Sequence, residues 1–140
     1  YVQRETEKRR LGNVVFKPYQ PREKLAVSLS VPDLHVISLR PELEGLIVPS
    51  KFYGILAVGR PTIYVGDPDG EIPVILEKER CGTTVRIGDA EGFAAYVRKL
   101  ALDKSQCREL GERAQELFIS QFDKPLAIEK WVKLVESGLS

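Results

Sequence analysis

Short apolar runs alternate along the chain with longer segments in which apolar residues recur every three or four positions. Nearly uninterrupted apolar runs predict four buried strands, at residues 14–16, 34–39, 62–65 and 83–87. Helical spacing predicts helices at residues 1–11, 22–29, 50–59 and 71–79, with three more that close the chain. Strands that alternate with helices are typical of a parallel sheet with helices on both faces. We therefore predict an α/β, Rossmann-like fold.

Capping residues mark the ends of the predicted helices. Gly12 follows the charged first helix, and glycine is common just past a helix end. The predicted N-caps are Ser50, Asp89, Ser105 and Asp123. Pro125 falls in the first turn of the last helix, where an amide would have no helical partner in any case.

The composition excludes several classes of protein. The 140 residues suffice for one domain, and 21 basic against 20 acidic residues leave a net charge of +1. A nucleic-acid binder usually gathers a basic excess, so no nucleic-acid partner is expected. No apolar run approaches the roughly 20 residues of a membrane span. With two cysteines and one histidine we expect no metal site and two free thiols, as in a cytoplasmic protein.

Residues 40–51 form the most informative loop, because they follow a predicted strand and lead directly into a helix. Open parallel sheets bind ligands at this edge, and the positive end of a helix dipole favours an anion such as a phosphate. Gly45 allows close backbone approach, Ser50 can donate to a phosphate oxygen, and Lys51 is poorly placed unless an anion lies beside it. Glu44 has no oppositely charged near neighbour and suits sugar hydroxyls.

The same loop also allows a purely structural interpretation. Ser50 would then only cap the helix, Lys51 would only be solvated, and Glu44 would be an ordinary loop charge. On these residues alone, both interpretations stay open.

Residues 44–61, EGLIVPSKFYGILAVGRP, resemble the donor-site segment of retaining family 4 glycosyltransferases, in the bacterial branch that builds surface polysaccharides. Further segments in the same order are similar to the family's base-binding strand and loop, its following loop, its next strand and its closing helices: residues 13–21, 66–71, 81–89 and 118–131. The resemblance implies the C-terminal half of a two-domain (GT-B) fold. Residues 1–140 would be a partial donor-binding domain without its first strands and without the N-terminal acceptor domain.

The resemblance also implies roles for individual residues. Glu44 would be the catalytic residue that contacts the hydroxyls of the donor sugar. Six residues would contact the nucleotide, the first three through backbone groups around the base and the others around the diphosphate: Pro18, Tyr19, Gln20, Gly45, Leu46 and Ser50. Gly54 stands where the family usually has a second glutamate, which binds the ribose. We expect Glu71 or a backbone group to replace it.

The implied reaction is transfer of a sugar, with retention of anomeric configuration, from a nucleotide-diphosphate sugar to a glycan or lipid-linked acceptor. The parent enzyme would be a hexosyltransferase, cytoplasmic and compatible with peripheral association with a membrane. Helix dipole, amides and cations would stabilise the leaving diphosphate, so no cofactor or metal is expected. The expected partners are the nucleotide sugar and the acceptor domain. The chain by itself is expected to transfer no sugar.

Two other functions stay open. A nucleotide-sugar epimerase or hydrolase of GT-B type would share the nucleotide cleft, and only the other domain would distinguish it from a transferase. A non-catalytic Rossmann-like module that binds a partner protein would bind no nucleotide, so titration with nucleoside diphosphates would identify it.

The remaining candidate residues are predicted to be structural. His35 lies within a predicted strand with no carboxylate to orient it, and Tyr64 and Tyr96 belong to no motif. An apolar stripe in the last helix is expected to pack in the core or against another domain: Ala127, Trp131, Leu134 and Val135. Without that other domain, the stripe should remain partly uncovered and favour self-association.

Overall fold

The computed structural model describes residues 1–138. In chain order, its helices and strands are α1 (Val2–Lys8), α2 (Leu25–Ser30), β1 (His35–Ser38), α3 (Lys51–Ala57), β2 (Thr62–Val65), α4 (Glu71–Glu79), β3 (Gly82–Val85), α5 (Ala90–Leu102), α6 (Lys104–Leu117) and α7 (Lys124–Gly138). Short 3₁₀ turns precede α2 and follow β1, at Arg22–Lys24 and Pro41–Leu43, and a π-helical turn, Phe118–Phe122, links α6 to the segment before α7.

The strands form one parallel sheet in the order β1-β2-β3. At its carboxyl end Ser38 pairs with Val65, and Val65 pairs with Val85. Each connection between neighbouring strands contains a helix, α3 after β1 and α4 after β2. The predicted α/β, Rossmann-like class is therefore confirmed, with helices that flank a parallel sheet.

The main core lies between the sheet and helices α3, α4 and α6. Its buried apolar residues are Ile37, Leu39, Phe52, Ile55, Leu56, Tyr64, Ile72, Leu76, Cys81, Ala114 and Leu117. Phe52, Ile55 and Leu56 recur at helical spacing and form one face of α3. Burial of each large apolar side chain stabilises the fold by about 1.5–3 kcal/mol. Packing of this face therefore holds α3 and the end of the loop that precedes it.

The predicted strand at residues 14–16 is wrong. These residues have an irregular backbone and are exposed, Val15 by 71%. Two of them line a small cavity together with residues of α1. A run of three apolar residues offers few backbone hydrogen bonds to a neighbouring strand, and Gly12 and Pro18 limit its extension on either side. Within residues 1–138 the sheet therefore has three strands and not about four.

The structure confirms one predicted helix cap and corrects another. The Asp89 carboxylate accepts a hydrogen bond from the Gly92 amide at 2.8 Å and caps α5. Ser105 is wrong as the N-cap of α6, because Asp103 takes this position and accepts from the Gln106 amide at 2.9 Å. An ionised carboxylate is the stronger acceptor, and the Ser105 hydroxyl donates to that same carboxylate.

Several predicted boundaries also shift. The first helix ends at Lys8, short of residue 11, and β3 ends at Val85, short of residue 87. Ser50 directly precedes α3, but its side chain makes no capping hydrogen bond. The last helix begins directly after Asp123, as predicted, with Pro125 in its first turn.

Candidate active site at the carboxyl edge of the sheet

The loops that follow the three strands meet at the carboxyl edge of the sheet. The Leu39 amide donates to the Val65 carbonyl at 3.3 Å, and the Gly66 amide donates to the Val85 carbonyl at 3.1 Å. An open cavity of about 270 Å³ lies at this edge. It is lined by Pro41, Gly66, Asp67, Pro68, Arg86 and Ile87. The edge at which open parallel sheets bind ligands thus has both a cavity and charged side chains.

Glu44 is held at this edge by a buried tyrosine. Tyr64, on β2, is fully buried, and its hydroxyl donates a hydrogen bond to the Glu44 carboxylate. The tyrosine ring lies across Gly66, where a Cβ would stand 2.6 Å from Cε1 of Tyr64. The carboxylate lies against Gly70, where a Cβ would stand 2.5 Å from Oε2 of Glu44. Each glycine therefore leaves the space that a neighbouring side chain fills.

The Glu44 carboxylate lies beside the start of a helix, and the Tyr64 phenol is the donor of the hydrogen bond between them. Glu44 is half-buried, and Gly70 immediately precedes α4. The positive end of a helix dipole stabilises a nearby negative charge by about 0.3–1 kcal/mol. Burial first, and then the hydrogen bond to Glu44, raise the pKa of the Tyr64 hydroxyl well above its usual value. Tyr64 therefore stays protonated near neutral pH and acts as the donor.

Glu71, the first residue of α4, brings a second carboxylate to this region. Burial, and then the negative charge of Glu71, raise the pKa of the Tyr53 hydroxyl on α3. Gly54, the next residue of α3, packs against α2, and a Cβ there would stand 3.0 Å from Cδ1 of Leu29. A side chain at this position would require Leu29 to shift by a few tenths of an ångström, so glycine fits the packing here without adjustment. Glu71 stays the predicted replacement.

The predicted diphosphate-binding residues lie along the turn that leads into α3. Gly45 has a φ of +73°, a conformation that favours glycine, and a Cβ there would meet nothing within 4 Å. The Leu46 amide donates to the Leu43 carbonyl at 3.1 Å, so this amide already has an acceptor. Ser50 does not cap α3, and Lys51 is exposed in its first turn. Of the two amides predicted to bind phosphate, that of Gly45 is therefore the better candidate.

The predicted base-binding residues lie in an irregular segment between α1 and α2. Tyr19 is 94% exposed, and the Gln20 side-chain amide donates to the Pro18 carbonyl at 3.2 Å, within the segment itself. The contacts that bring Glu44 and Gly70 together do not include this segment. The structure therefore joins only part of the predicted site.

Sequence reasoning misses three residues at this edge. Tyr64 is predicted to be structural, Gly70 receives no role, and Arg86 falls inside the predicted fourth strand. Because β3 ends at Val85, Arg86 lies in the following loop and lines the cavity. A signal for Tyr64 is present in the sequence, since a tyrosine in a buried strand needs a partner for its hydroxyl.

Two residues predicted to be structural have different outcomes. The His35 ring nitrogen Nε2 lies 2.7 Å from the Leu29 carbonyl, which confirms a structural role. Trp131, predicted to pack in the core or against another domain, is 68% exposed on α7, so the first of these two placements is wrong. The other residues of its stripe are also exposed, which confirms the predicted lack of cover. Ala127 and Trp131 line an open cavity with Tyr53 of α3 and Phe122, and α7 contacts mainly the π-helical turn before it.

Residues 1–138 were compared with the requirements of a disulfide, a metal site and a membrane-spanning helix. Cys81 and Cys107 are buried and free. In this part of the chain, no three potential ligand residues come together in a way that could hold a metal ion. None of its helices is both long enough and apolar enough to cross a bilayer.

Comparison with known proteins finds two partial relatives. No family profile and no solved structure matches the chain. Over 56 residues, 40% of this chain and 16% of the relative, it is 36% identical to a lipopolysaccharide core biosynthesis glycosyltransferase of Rhizobium meliloti. Over 101 residues, 72% of this chain and 25% of the relative, it is 30% identical to the N-acetyl-alpha-D-glucosaminyl L-malate synthase of Bacillus anthracis. The matches thus span a quarter or less of each relative, and they support a relationship with glycosyltransferases.

Proposed function

We propose that this chain is the donor-binding domain of a retaining, family 4 glycosyltransferase of GT-B fold. It binds a nucleotide-diphosphate sugar, and the hexosyl group passes to a glycan or lipid-linked acceptor held by another domain of the same protein. The parent enzyme acts in the cytoplasm, at the surface of a membrane. Similarity to glycosyltransferases supports the general chemistry. The observation that carries the proposal is the Glu44 carboxylate, fixed by Tyr64 beside the start of α4 at the ligand-binding edge of the sheet.

Glu44 is the residue that contacts the donor sugar. One carboxylate oxygen accepts from Tyr64, and the lone pairs that remain are available to a sugar hydroxyl. A hydrogen bond to a charged group contributes about 1.5–3 kcal/mol, enough to orient a sugar in an open site. Glu71, one residue beyond Gly70, is near enough to this region to bind the ribose in place of the family's second glutamate.

The diphosphate lies along the turn into α3. Three donors are available there: the Gly45 amide, the Ser50 hydroxyl, which does not cap α3, and the Lys51 ammonium group. Arg86 adds a second cation from the cavity lining. In the reaction, the bond between the anomeric carbon and the diphosphate oxygen breaks. A bond from the same carbon to the acceptor oxygen forms on the same face of the sugar, and the proton of the acceptor hydroxyl passes to the leaving diphosphate oxygen. Negative charge grows on the diphosphate, and these donors and cations stabilise it.

We propose that base binding orders the segment around Tyr19. In the structure this segment is open to solvent, and it closes over the nucleotide when backbone groups of Pro18, Tyr19 and Gln20 contact the base. Ordering of a loop on binding lowers affinity, since part of the interaction free energy is spent on the ordering. We therefore expect the chain by itself to bind nucleotide sugars weakly.

A titration followed by ¹H–¹⁵N NMR tests the proposal at the low affinities expected. UDP-glucose, GDP-mannose and ADP-glucose are each compared with the corresponding nucleoside diphosphate. The expected result is that at least one pair shifts the amides of Gly45, Gly66 and Gly70, and that the sugar adds shifts near Glu44. If none of the three binds, or if the shifts lie on α5, the proposal is wrong.

A second candidate function is a module that binds a partner protein without nucleotide. The uncovered apolar stripe of α7 favours it, because large exposed apolar surfaces often mark protein interfaces. The same titration separates the two, since such a module would show no nucleotide-dependent shifts. An epimerase or hydrolase would bind the same nucleotide sugars, and only turnover by the whole protein would distinguish these enzymes from a transferase.

A further inference from the structure

A continuous set of contacts runs from the buried sheet to the Glu44 carboxylate. Tyr64 is fully buried, yet its hydroxyl reaches the loop after β1 and donates to Glu44. Two glycines make this path possible. A Cβ added at Gly66 would stand 2.6 Å from the tyrosine ring, and a Cβ added at Gly70 would stand 2.5 Å from the carboxylate.

The geometry points to Tyr64 as a positioning residue for the Glu44 carboxylate, with Gly66 and Gly70 as the positions that leave room for the ring and for the carboxylate. The inference rests on the proposed function, because it concerns the way in which Glu44 meets the donor sugar. It adds a determinant of sugar recognition that does not itself touch the ligand.

The contacts define which part of the carboxylate remains for the ligand. Tyr64 donates to Oε1, and Oε2 lies against Gly70 at the start of α4. Rotation of the carboxylate is therefore restricted, and its remaining lone pairs face a limited set of directions. A sugar hydroxyl on one side of the ring meets this acceptor, and the epimeric hydroxyl does not. Preorganisation of this kind raises affinity because less order has to be created on binding.

Filling the core does not require the tyrosine hydroxyl. A phenylalanine would occupy the same space beside Gly66 and would leave no buried polar group in need of a partner. The hydroxyl instead finds its acceptor in the loop between β1 and α3, at the ligand-binding edge. The partner of a buried strand residue is thus a loop carboxylate, which is the arrangement expected of a group that fixes a functional side chain.

The test uses the full chain and compares affinity for a nucleotide sugar with affinity for its nucleoside diphosphate, both by NMR titration. The probe is the best bound of UDP-glucose, GDP-mannose and ADP-glucose. Tyr64→Phe is expected to weaken binding of the nucleotide sugar by roughly three- to tenfold, the usual effect of one hydrogen bond, and to leave the diphosphate unchanged. Tyr96→Phe, which removes a half-buried phenol on α5, is the matched control and should change neither.

A second pair of variants guards against a simple loss of folding. Gly70→Ala puts a methyl group where the carboxylate lies and should weaken nucleotide-sugar binding in the same selective way. Gly12→Ala is its control, because a Cβ there meets nothing within 4 Å. In the Glu44→Ala background, Tyr64→Phe should cause little further loss, since the carboxylate that it positions is gone. Thermal unfolding of every variant tests whether the fold is retained.

The outcomes separate the inference from the proposed function. If the wild-type chain binds a nucleotide sugar and Tyr64→Phe lowers affinity for sugar and diphosphate equally, or not at all, the inference is overturned while the proposed function stands. If Tyr64→Phe and Glu44→Ala lower sugar binding additively, Tyr64 does not act through Glu44, and the inference again fails. A wild-type chain that binds none of the probes overturns both.

Discussion

The loop that carries Glu44 and the segment that carries Tyr19 differ in how much of the domain holds them. Glu44 accepts a hydrogen bond from a buried strand residue and rests against the glycine before α4. Tyr19 is 94% exposed, and the hydrogen bond of its neighbour Gln20 stays within the segment. Both regions are proposed to contact the same nucleotide sugar, yet only one of them is organised without it.

This difference indicates that the two regions contribute differently to ligand binding. A side chain fixed in advance contributes selectivity, because it accepts a hydrogen bond only in a given direction. An open segment contributes contact area, and its ordering opposes binding. We therefore expect changes near Glu44 to affect both the fold and sugar recognition, and changes in backbone flexibility near Tyr19 to affect nucleotide affinity alone.

The largest effect is expected for Glu44→Ala. It removes a charged acceptor, so binding of the best nucleotide sugar should weaken by about 1.5–3 kcal/mol. It also leaves the buried Tyr64 hydroxyl without its partner, and an unsatisfied buried group costs about 1–3 kcal/mol of stability. NMR titration and thermal unfolding measure the two effects. A variant as stable as wild type would show that the hydroxyl finds another acceptor, and it would weaken the contrast with Tyr19.

A second prediction concerns α7, which, like the segment around Tyr19, contributes no buried side chain to the core. Its exposed apolar stripe includes Trp131, Leu134 and Val135, and burial of one such side chain stabilises an interface by about 1.5–3 kcal/mol. The chain should therefore self-associate, and Trp131→Glu should reduce this association. Light scattering over a range of concentrations measures it. Lys133→Gln, a change on the polar side of the same helix, is the control and should leave the association unchanged.

Gly45→Ala probes the turn between Glu44 and helix α3. Its φ of +73° is unfavourable for a residue with a side chain, so the substitution should cost about 1–2 kcal/mol of stability. There is open space around the added methyl group, which leaves backbone strain as the cause. Gly12→Ala, which lacks such a φ, should be nearly neutral in thermal unfolding. Equal effects of the two substitutions would mean that the turn relaxes without strain.

The fold could be predicted where local pattern and packing agree. Strands β1, β2 and β3 lie within or one residue beside predicted apolar runs, and α3 has its buried face at the expected spacing. The prediction failed at residues 14–16, because an apolar run does not indicate whether a neighbouring strand is available to pair with it. There, Val14 and Phe16 line a small open cavity with residues of α1 and belong to none of the described strands.

The candidate site could be predicted only as far as its loops. The chain order of strands and loops indicates that Glu44 lies at the carboxyl edge of the sheet, because that follows from a parallel sheet. The sequence indicates that the Tyr64 hydroxyl needs a partner, but not which one, since the hydroxyl reaches a residue twenty positions away and depends on the space at Gly66 and Gly70. Such a contact follows from tertiary packing, which local spacing does not encode.

The smallest effect on the fold is expected for Tyr19→Ala. The side chain is almost fully exposed, and exposed substitutions usually change stability by less than about 0.5 kcal/mol. If the segment closes over the base through its backbone, the truncation should also change nucleotide affinity little. Replacement of Pro18 by glycine should weaken it, because a more flexible segment loses more entropy on closing. Titration with the nucleoside diphosphate isolates this effect from sugar recognition. A strong loss of affinity in Tyr19→Ala would indicate that the ring itself contacts the base, and a loss of stability would show that the segment is held by the domain after all.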